Sequence, residues 1–225
     1  MKFSGLRKTS LVDFPDRVAS VLFTPGCNLR CPYCHNWRIV IDPKPPFLND
    51  EAALHVLEER KSFIDAVVVT GGEPTIHKEL PNFLRRLKEN GFATKLDTNG
   101  LNSQVLKECL PNLDYVAVDV KTKISKYKRL GSEDASELAR TTEVLKNNDV
   151  KYEFRTTVVP GFVGEEDIVE IGELVKGARR LVLQQFVPDD ALEEAFRSIK
   201  PYSAANIRNL GYQLKDYVEN IVIQA

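Results

Sequence analysis

Six short runs rich in β-branched and apolar residues recur along the chain: Val18 to Thr24, Ala66 to Thr70, Ala93 to Asp97, Tyr115 to Asp119, Glu153 to Val158 and Arg180 to Gln184. Longer segments of helical period separate them. Leu80, Phe83, Leu84 and Leu87 share one helical face that closes at Gly91, and Val105, Leu106, Cys109 and Leu110 repeat the pattern up to Pro111. Leu138, Val144 and Leu145 mark a further helix, and Ile168, Ile171, Leu174 and Val175 another. Strand alternating with helix requires parallel pairing, because only a crossover returns the chain to the same edge. Strand starts lie 22 to 48 residues apart, near the roughly 30 of one βαβ unit. A closed eight-unit barrel usually takes about 250 residues, and this chain has 225. The fold expected is therefore α/β, a partial (β/α)6 TIM-like barrel with parallel strands and outer helices, open on the side where a protein substrate would enter. One domain is expected over residues 1–225, with a core from about residue 16 to 200 and a helix (Ala204 to Leu210) and strand (Asn220 to Ile223) in 201–225.

The first of these strands runs into Cys27-Asn28-Leu29-Arg30-Cys31-Pro32-Tyr33-Cys34-His35-Asn36, three thiols within eight residues. Pro25-Gly26 ends the strand and Pro32 stiffens the loop, so the sulfurs can converge locally. Cysteine thiolates are the ligands of iron-sulfur clusters, and three of them on a four-iron cluster leave one iron open to a further ligand. A structural zinc loop needs four closed ligands. The candidates for a fourth are weak: His35 adjoins Cys34 and would have to fold back, and Cys109 sits on an apolar helical face as a small buried hydrophobe. A zinc-stabilised interaction module, colourless and without iron, is the non-enzyme alternative. Three close cysteines on a chain whose amino terminus, Met1 to Arg7, has no signal-like apolar run read as metal or redox chemistry in a cytoplasmic setting rather than as disulfides.

The C-x3-C-x2-C spacing with an aromatic residue before the last cysteine resembles the radical S-adenosylmethionine (SAM) superfamily. The Tyr-Cys-His-Asn ending resembles its glycyl-radical-enzyme activating branch. The run from Gly5 to Asn36, with Asp13-Phe14-Pro15 and Thr24-Pro25-Gly26-Cys27-Asn28, is similar to anaerobic ribonucleoside-triphosphate reductase activating proteins. The resemblance implies a [4Fe-4S] cluster on Cys27, Cys31 and Cys34. It further implies SAM chelated to the open iron, and an electron from flavodoxin or ferredoxin that splits SAM into methionine and a 5'-deoxyadenosyl radical. That radical would take a hydrogen atom from a glycine of the partner, anaerobic ribonucleotide reductase. Alternatives within the superfamily are activation of another glycyl-radical enzyme such as pyruvate formate-lyase, or a small-molecule substrate. Between Cys34 and Gly71 there is no further cysteine, which excludes the inserted ferredoxin-like clusters of some activating enzymes.

In α/β barrels reactive groups gather at the carboxyl ends of strands, and here those ends match the same family. Gly71-Gly72-Glu73-Pro74 lets backbone approach a ligand closely and offers a carboxylate to an ammonium; in the family this motif holds the methionine amino group. Asp97-Thr98-Asn99-Gly100 and Asp119-Val120-Lys121 end the next two strands. Two carboxylates at neighbouring strand ends repel unless a cation lies between them. The arrangement resembles that of pyruvate formate-lyase activating enzyme, which implies a monovalent cation at Asp97, Thr98 and Asp119, with Lys121 available to the SAM carboxylate or the partner. Arg155 alternates with Thr157 on the fifth strand and would pair with a cofactor carboxylate, or else with Glu153. Tyr33 is implied as the adenine neighbour and Gln185 as a residue near the adenine or the glycine loop. His35 and Asn36 are expected to shape the cluster loop, Trp37 and Phe186 to pack, and His55 to be exposed.

With 31 basic and 32 acidic residues, net charge -1, the chain has no global field favouring nucleic acid, and no apolar run suits a membrane. The run Lys121, Lys123, Lys126, Lys128 and Arg129 is locally basic; it reads as a solvated loop or as a dock for an acidic reductase or electron donor.

Overall fold

All six expected strands form, with ends shifted by one or two residues at most, in a computed structural model that describes residues 1–225. The chain divides into two units. The first comprises Met1–Cys27, Asn36–Thr98 and Gln104–Val116; the second comprises Asn28–His35, Asn99–Ser103 and Ala117–Ala225.

The first unit holds β1 (Lys2–Phe3), β2 (Gly5–Ser10), β3 (Ala19–Thr24), β4 (Leu48–Asn49), β5 (Ala66–Gly71) and β6 (Ala93–Thr98). Its main sheet runs β2-β3-β5-β6, while β1 and β4 make a separate antiparallel pair. β3 lies parallel to β5 in the register Ala19↔Ala66 to Thr24↔Gly71, and β5 lies parallel to β6. Val67, Val68 and Val69 are fully buried, as a strand covered on both faces requires. Phe14, Ala19, Val21, Ala66, Val68 and Tyr115 pack into one cluster on the inner face. Its valine and phenylalanine side chains each contribute roughly 1.5 to 3 kcal/mol by leaving water. The helix Leu80–Glu89 buries the four apolar residues its period predicted, and Asn49 caps Asp50–Glu59 by accepting from the Ala52 amide at 2.8 Å.

β2 is an addition to the expected set. Its sequence, Gly-Leu-Arg-Lys-Thr-Ser, carries little β-branched or apolar signal because it is an edge strand, largely solvent-facing and antiparallel to β3. Its ladder shifts register between Arg7 and Ser10, and Ser20 Oγ secures it by donating to Lys8 O at 2.7 Å.

The second unit holds β7 (Tyr115–Asp119, from Ala117 onward), β8 (Lys151–Val158), β9 (Leu181–Gln185) and β10 (Ile221–Gln224), in the order β7-β8-β9-β10. β8, β9 and β10 are mutually parallel. The helices Ser136–Lys146, Glu165–Leu174 and Ala204–Tyr212 follow β7, β8 and β9 and bury Leu138, Ile168, Ile171, Ile207 and Leu210 among others. Neither unit's sheet closes on itself: β2 ends one and β10 the other. No helix is long and apolar enough to cross a membrane.

Candidate active site

The cysteine loop is fixed from several sides. Within the first unit, the Gly26 amide donates to Ile39 O at 2.8 Å and His77 Nε2 donates to Pro25 O at 2.9 Å. Within the second, the Arg30 amide donates to Leu130 O, the Glu193 amide donates to Pro32 O, and His35 Nε2 donates to Val187 O at 2.6 Å. His35 thus ties down the loop, as expected, and Asn36 Nδ2 does likewise by donating to Gly71 O at 2.8 Å. Cys27 and Cys34 are half-buried, Cys31 is buried, and none is in a disulfide. Cys109 differs: burial in its helix pushes its thiol up to about 12, so it is inert at neutral pH.

Tyr33, between two of these cysteines, stands among Phe162, Phe186 and Phe196 at centroid distances of 5.4, 6.4 and 6.2 Å. Burial, reinforced by the nearby Cys31, holds its phenol well above the ordinary tyrosine range. Its hydroxyl is buried without a hydrogen-bond partner, which is rare in a folded chain. Phe186 packs, as expected; Phe162 and Phe196 were not anticipated, because nothing in their sequence context separates them from ordinary core residues.

The Gly71-Gly72-Glu73 turn is clasped to the end of β3. The Gly72 and Glu73 amides donate to Thr24 O and Gly26 O, each at 2.8 Å. A Cβ on Gly72 would fall 1.7 Å from Gly26 O, and Gly71 has φ +115°, so both positions require glycine. Glu73 is 1 % exposed. Its Oε1 accepts from the Thr75 amide (3.0 Å), Thr75 Oγ1 (2.6 Å) and Thr98 Oγ1 (2.6 Å), which fix the carboxylate at the strand end.

The carboxylates expected to share a monovalent cation each have protein cations beside them. Lys95, 2 % exposed, places Nζ 2.8 Å from Asp97 Oδ1 and donates to Asp13 O at 2.6 Å. Asp119 lies between Lys121 Nζ and Arg155 Nε, both at 2.8 Å. Burial alone would raise the Asp119 pKa, but Arg155 and Lys121 outweigh it and hold the carboxyl far below its usual range. Burial likewise works against the charged form of Lys121, and Asp119, helped by Cys31, more than restores it. Arg155 therefore pairs with Asp119, while Glu153 is taken by Arg180 at 3.1 Å. Lys95 escaped the sequence reading, although its period-2 relation to Asp97 on one strand face was visible.

Gln185 Nε2 donates to Tyr202 O at 3.1 Å. The basic run is mostly engaged: Lys123 pairs with Glu170, Lys126 with Asp167, and Arg129 donates to Gly161 O and stacks over Phe162. Lys128, 3.6 Å from Glu133, and Arg129 are the exposed members of the run. His55 is exposed, and Trp37 packs under Arg38.

The profile of the radical SAM superfamily matches residues 21–175, which takes in the cysteine loop and the ends of β5 to β8. The chain belongs to that superfamily, among the glycyl-radical enzyme activating enzymes. A protein of Methanocaldococcus jannaschii, provisionally named a glycyl-radical enzyme activating enzyme, is 37 % identical over 98 % of this chain and 95 % of its own. The pyruvate formate-lyase-activating enzyme of Clostridium pasteurianum is 28 % identical over 96 % and 90 %. Among solved structures, TYW1 with a lysine-pyruvate adduct superimposes with TM-score 0.67 at 18 % identity, over 88 % of this chain and 73 % of that one, a likeness of fold.

Radical SAM enzymes use a [4Fe-4S] cluster and SAM. The chemistry of the donors present suits both. The loop offers three sulfur donors outside any disulfide, and the one remaining cysteine is chemically quiet. The Tyr33 hydroxyl is a buried polar atom in want of a partner, and Lys121 and Arg155 set two cations beside the Asp119 carboxylate.

Proposed function

We propose that this chain installs a glycyl radical on anaerobic ribonucleoside-triphosphate reductase, with flavodoxin or ferredoxin as its electron donor. The observation that carries the reading is the run from Gly5 to Asn36, in which Asp13-Phe14-Pro15 precedes the cysteine triplet and its His-Asn ending. When bound, the reduced cluster supplies the electron that cleaves SAM to methionine and a 5'-deoxyadenosyl radical.

The protein's own part is to hold and shield. Cys27, Cys31 and Cys34 hold the cluster. Gly71 and Gly72 bring backbone close to the methionine end of SAM, where Glu73, oriented by Thr75 and Thr98, accepts its ammonium. Lys121 and Arg155 are the cations available to its carboxylate. Tyr33 sets a ring against the adenine, backed by Phe162 and Phe186, which also exclude water that would quench a radical. Gln185 is placed for the adenine or the incoming glycine loop.

The second reading, activation of pyruvate formate-lyase, draws on the Clostridium pasteurianum relative. One experiment separates them: the loaded protein, SAM and dithionite are mixed anaerobically with either partner and frozen for EPR. A glycyl doublet on the reductase and none on pyruvate formate-lyase is expected; the reverse pattern rejects the reductase.

A further inference from the structure

The strand ends of this chain resemble those of an enzyme that recruits a monovalent cation beside SAM, yet the polar groups are differently served. Lys95 and Asp97 lie two apart on β6 and so face the same side. Both are buried, and an ammonium there has three protons to place with no water to take them. Asp13 O at 2.6 Å takes one, the Asp97 carboxylate stands 2.8 Å away as the ion-pair partner, and the ring face of Tyr115, its centroid 5.8 Å away, lies against the ammonium as well. A carboxylate oxygen, a carbonyl oxygen and a π face are also what a small cation coordinates. In the second unit, Asp119 already meets two cations, Lys121 and Arg155. A metal ion at either carboxylate would lie beside like charge.

We propose that Lys95 is a built-in replacement for the monovalent cation, so that SAM binding by this chain does not depend on sodium or potassium. The proposal rests on the SAM-binding reading above and assigns Lys95 as a positioning residue for the Asp97 carboxylate. It differs from a purely structural role in one respect: removing the ammonium should create a cation requirement.

The test measures SAM affinity of the cluster-loaded protein in potassium, sodium and tetramethylammonium chloride at one ionic strength. Wild type is expected to hold one Kd within about twofold across the three. Lys95→Met is expected to bind about tenfold more weakly in tetramethylammonium and to recover in potassium or sodium. A wild type that loses about tenfold without an alkali cation overturns the proposal, as does a folded variant that is weakened equally in every salt or in none. If Lys95→Met does not fold, Lys95→Gln, which keeps a donor for Asp13 O, is read by the same criteria. A melting series in the three salts tests the cation site without SAM. Stabilisation by an alkali cation is expected only in the variant, since a ligand that binds only the folded state raises Tm. The same stabilisation in wild type, abolished by Asp97→Asn, overturns the proposal. Failure to bind SAM in any salt would instead strike the functional reading and leave the melting series to decide this one.

Discussion

Glu73 in the first unit and Asp119 in the second are held by the same device with opposite electrical results. Each carboxylate takes a donor from the residue two along, Thr75 or Lys121, and another from a later strand, Thr98 or Arg155. In the first unit these donors are hydroxyls, which fix direction and leave charge unchanged. In the second they are cations, which set positive charge directly against the carboxylate. Position is thus set by shape around Glu73 and by charge around Asp119, and substitutions should expose the difference.

The largest effect is expected from Gly72→Ala. The new Cβ would fall on Gly26 O, and the turn can relieve the overlap only by releasing its clasp on β3. A loss of about 4 kcal/mol or more in urea unfolding is expected; a loss below about 1 kcal/mol would show that shape does not govern this end.

Next comes the charge contrast. Asp119→Asn removes the carboxylate that pairs with both Lys121 and Arg155 and should cost about 3 kcal/mol. Glu73→Gln keeps an acceptor for the same amide and hydroxyls and should cost only about 1 kcal/mol while weakening SAM binding. Equal losses of stability would break the comparison.

The pH dependence sharpens it. Asp119 is depressed, so its contribution is complete above the unfolded carboxyl value of about 3.9 and disappears as pH falls through the folded value below that. Lys121 is raised, so its contribution is complete below about 10.4 and disappears as pH rises through its folded value. The penalty of Asp119→Asn should therefore be level between about pH 5 and 9 and shrink in strong acid and in strong base. A penalty that changes across the neutral range would contradict the assigned pairing. The smallest effect is expected from Thr98→Val, which removes one of the hydroxyl donors to Glu73 and should cost about 1 kcal/mol.

The six expected strands and the cysteine loop were legible in the sequence because both are local: a β-branched run bounded by turns, and ligands a few residues apart. The antiparallel β2 was not, since an exposed edge strand needs little apolar character. Partnerships between strand ends were legible only as residue types. Arg155 was seen to need a carboxylate, but choosing Asp119 over Glu153 depends on which strand lies alongside. The basic run shows the same limit from the other side: Lys123 and Lys126 read as solvated until the acidic first turn of the helix Glu165–Leu174 is seen to meet them.

Anaerobic reconstitution tests the three-sulfur site most directly. The wild type should take up about four iron and four sulfide per chain and form 5'-deoxyadenosine from SAM only when dithionite is added. Alanine at Cys27, Cys31 or Cys34 should abolish that product, and alanine at Cys109 should leave it intact. A preparation that binds zinc and no iron, or that binds iron and leaves SAM whole under reduction, would contradict the assignment.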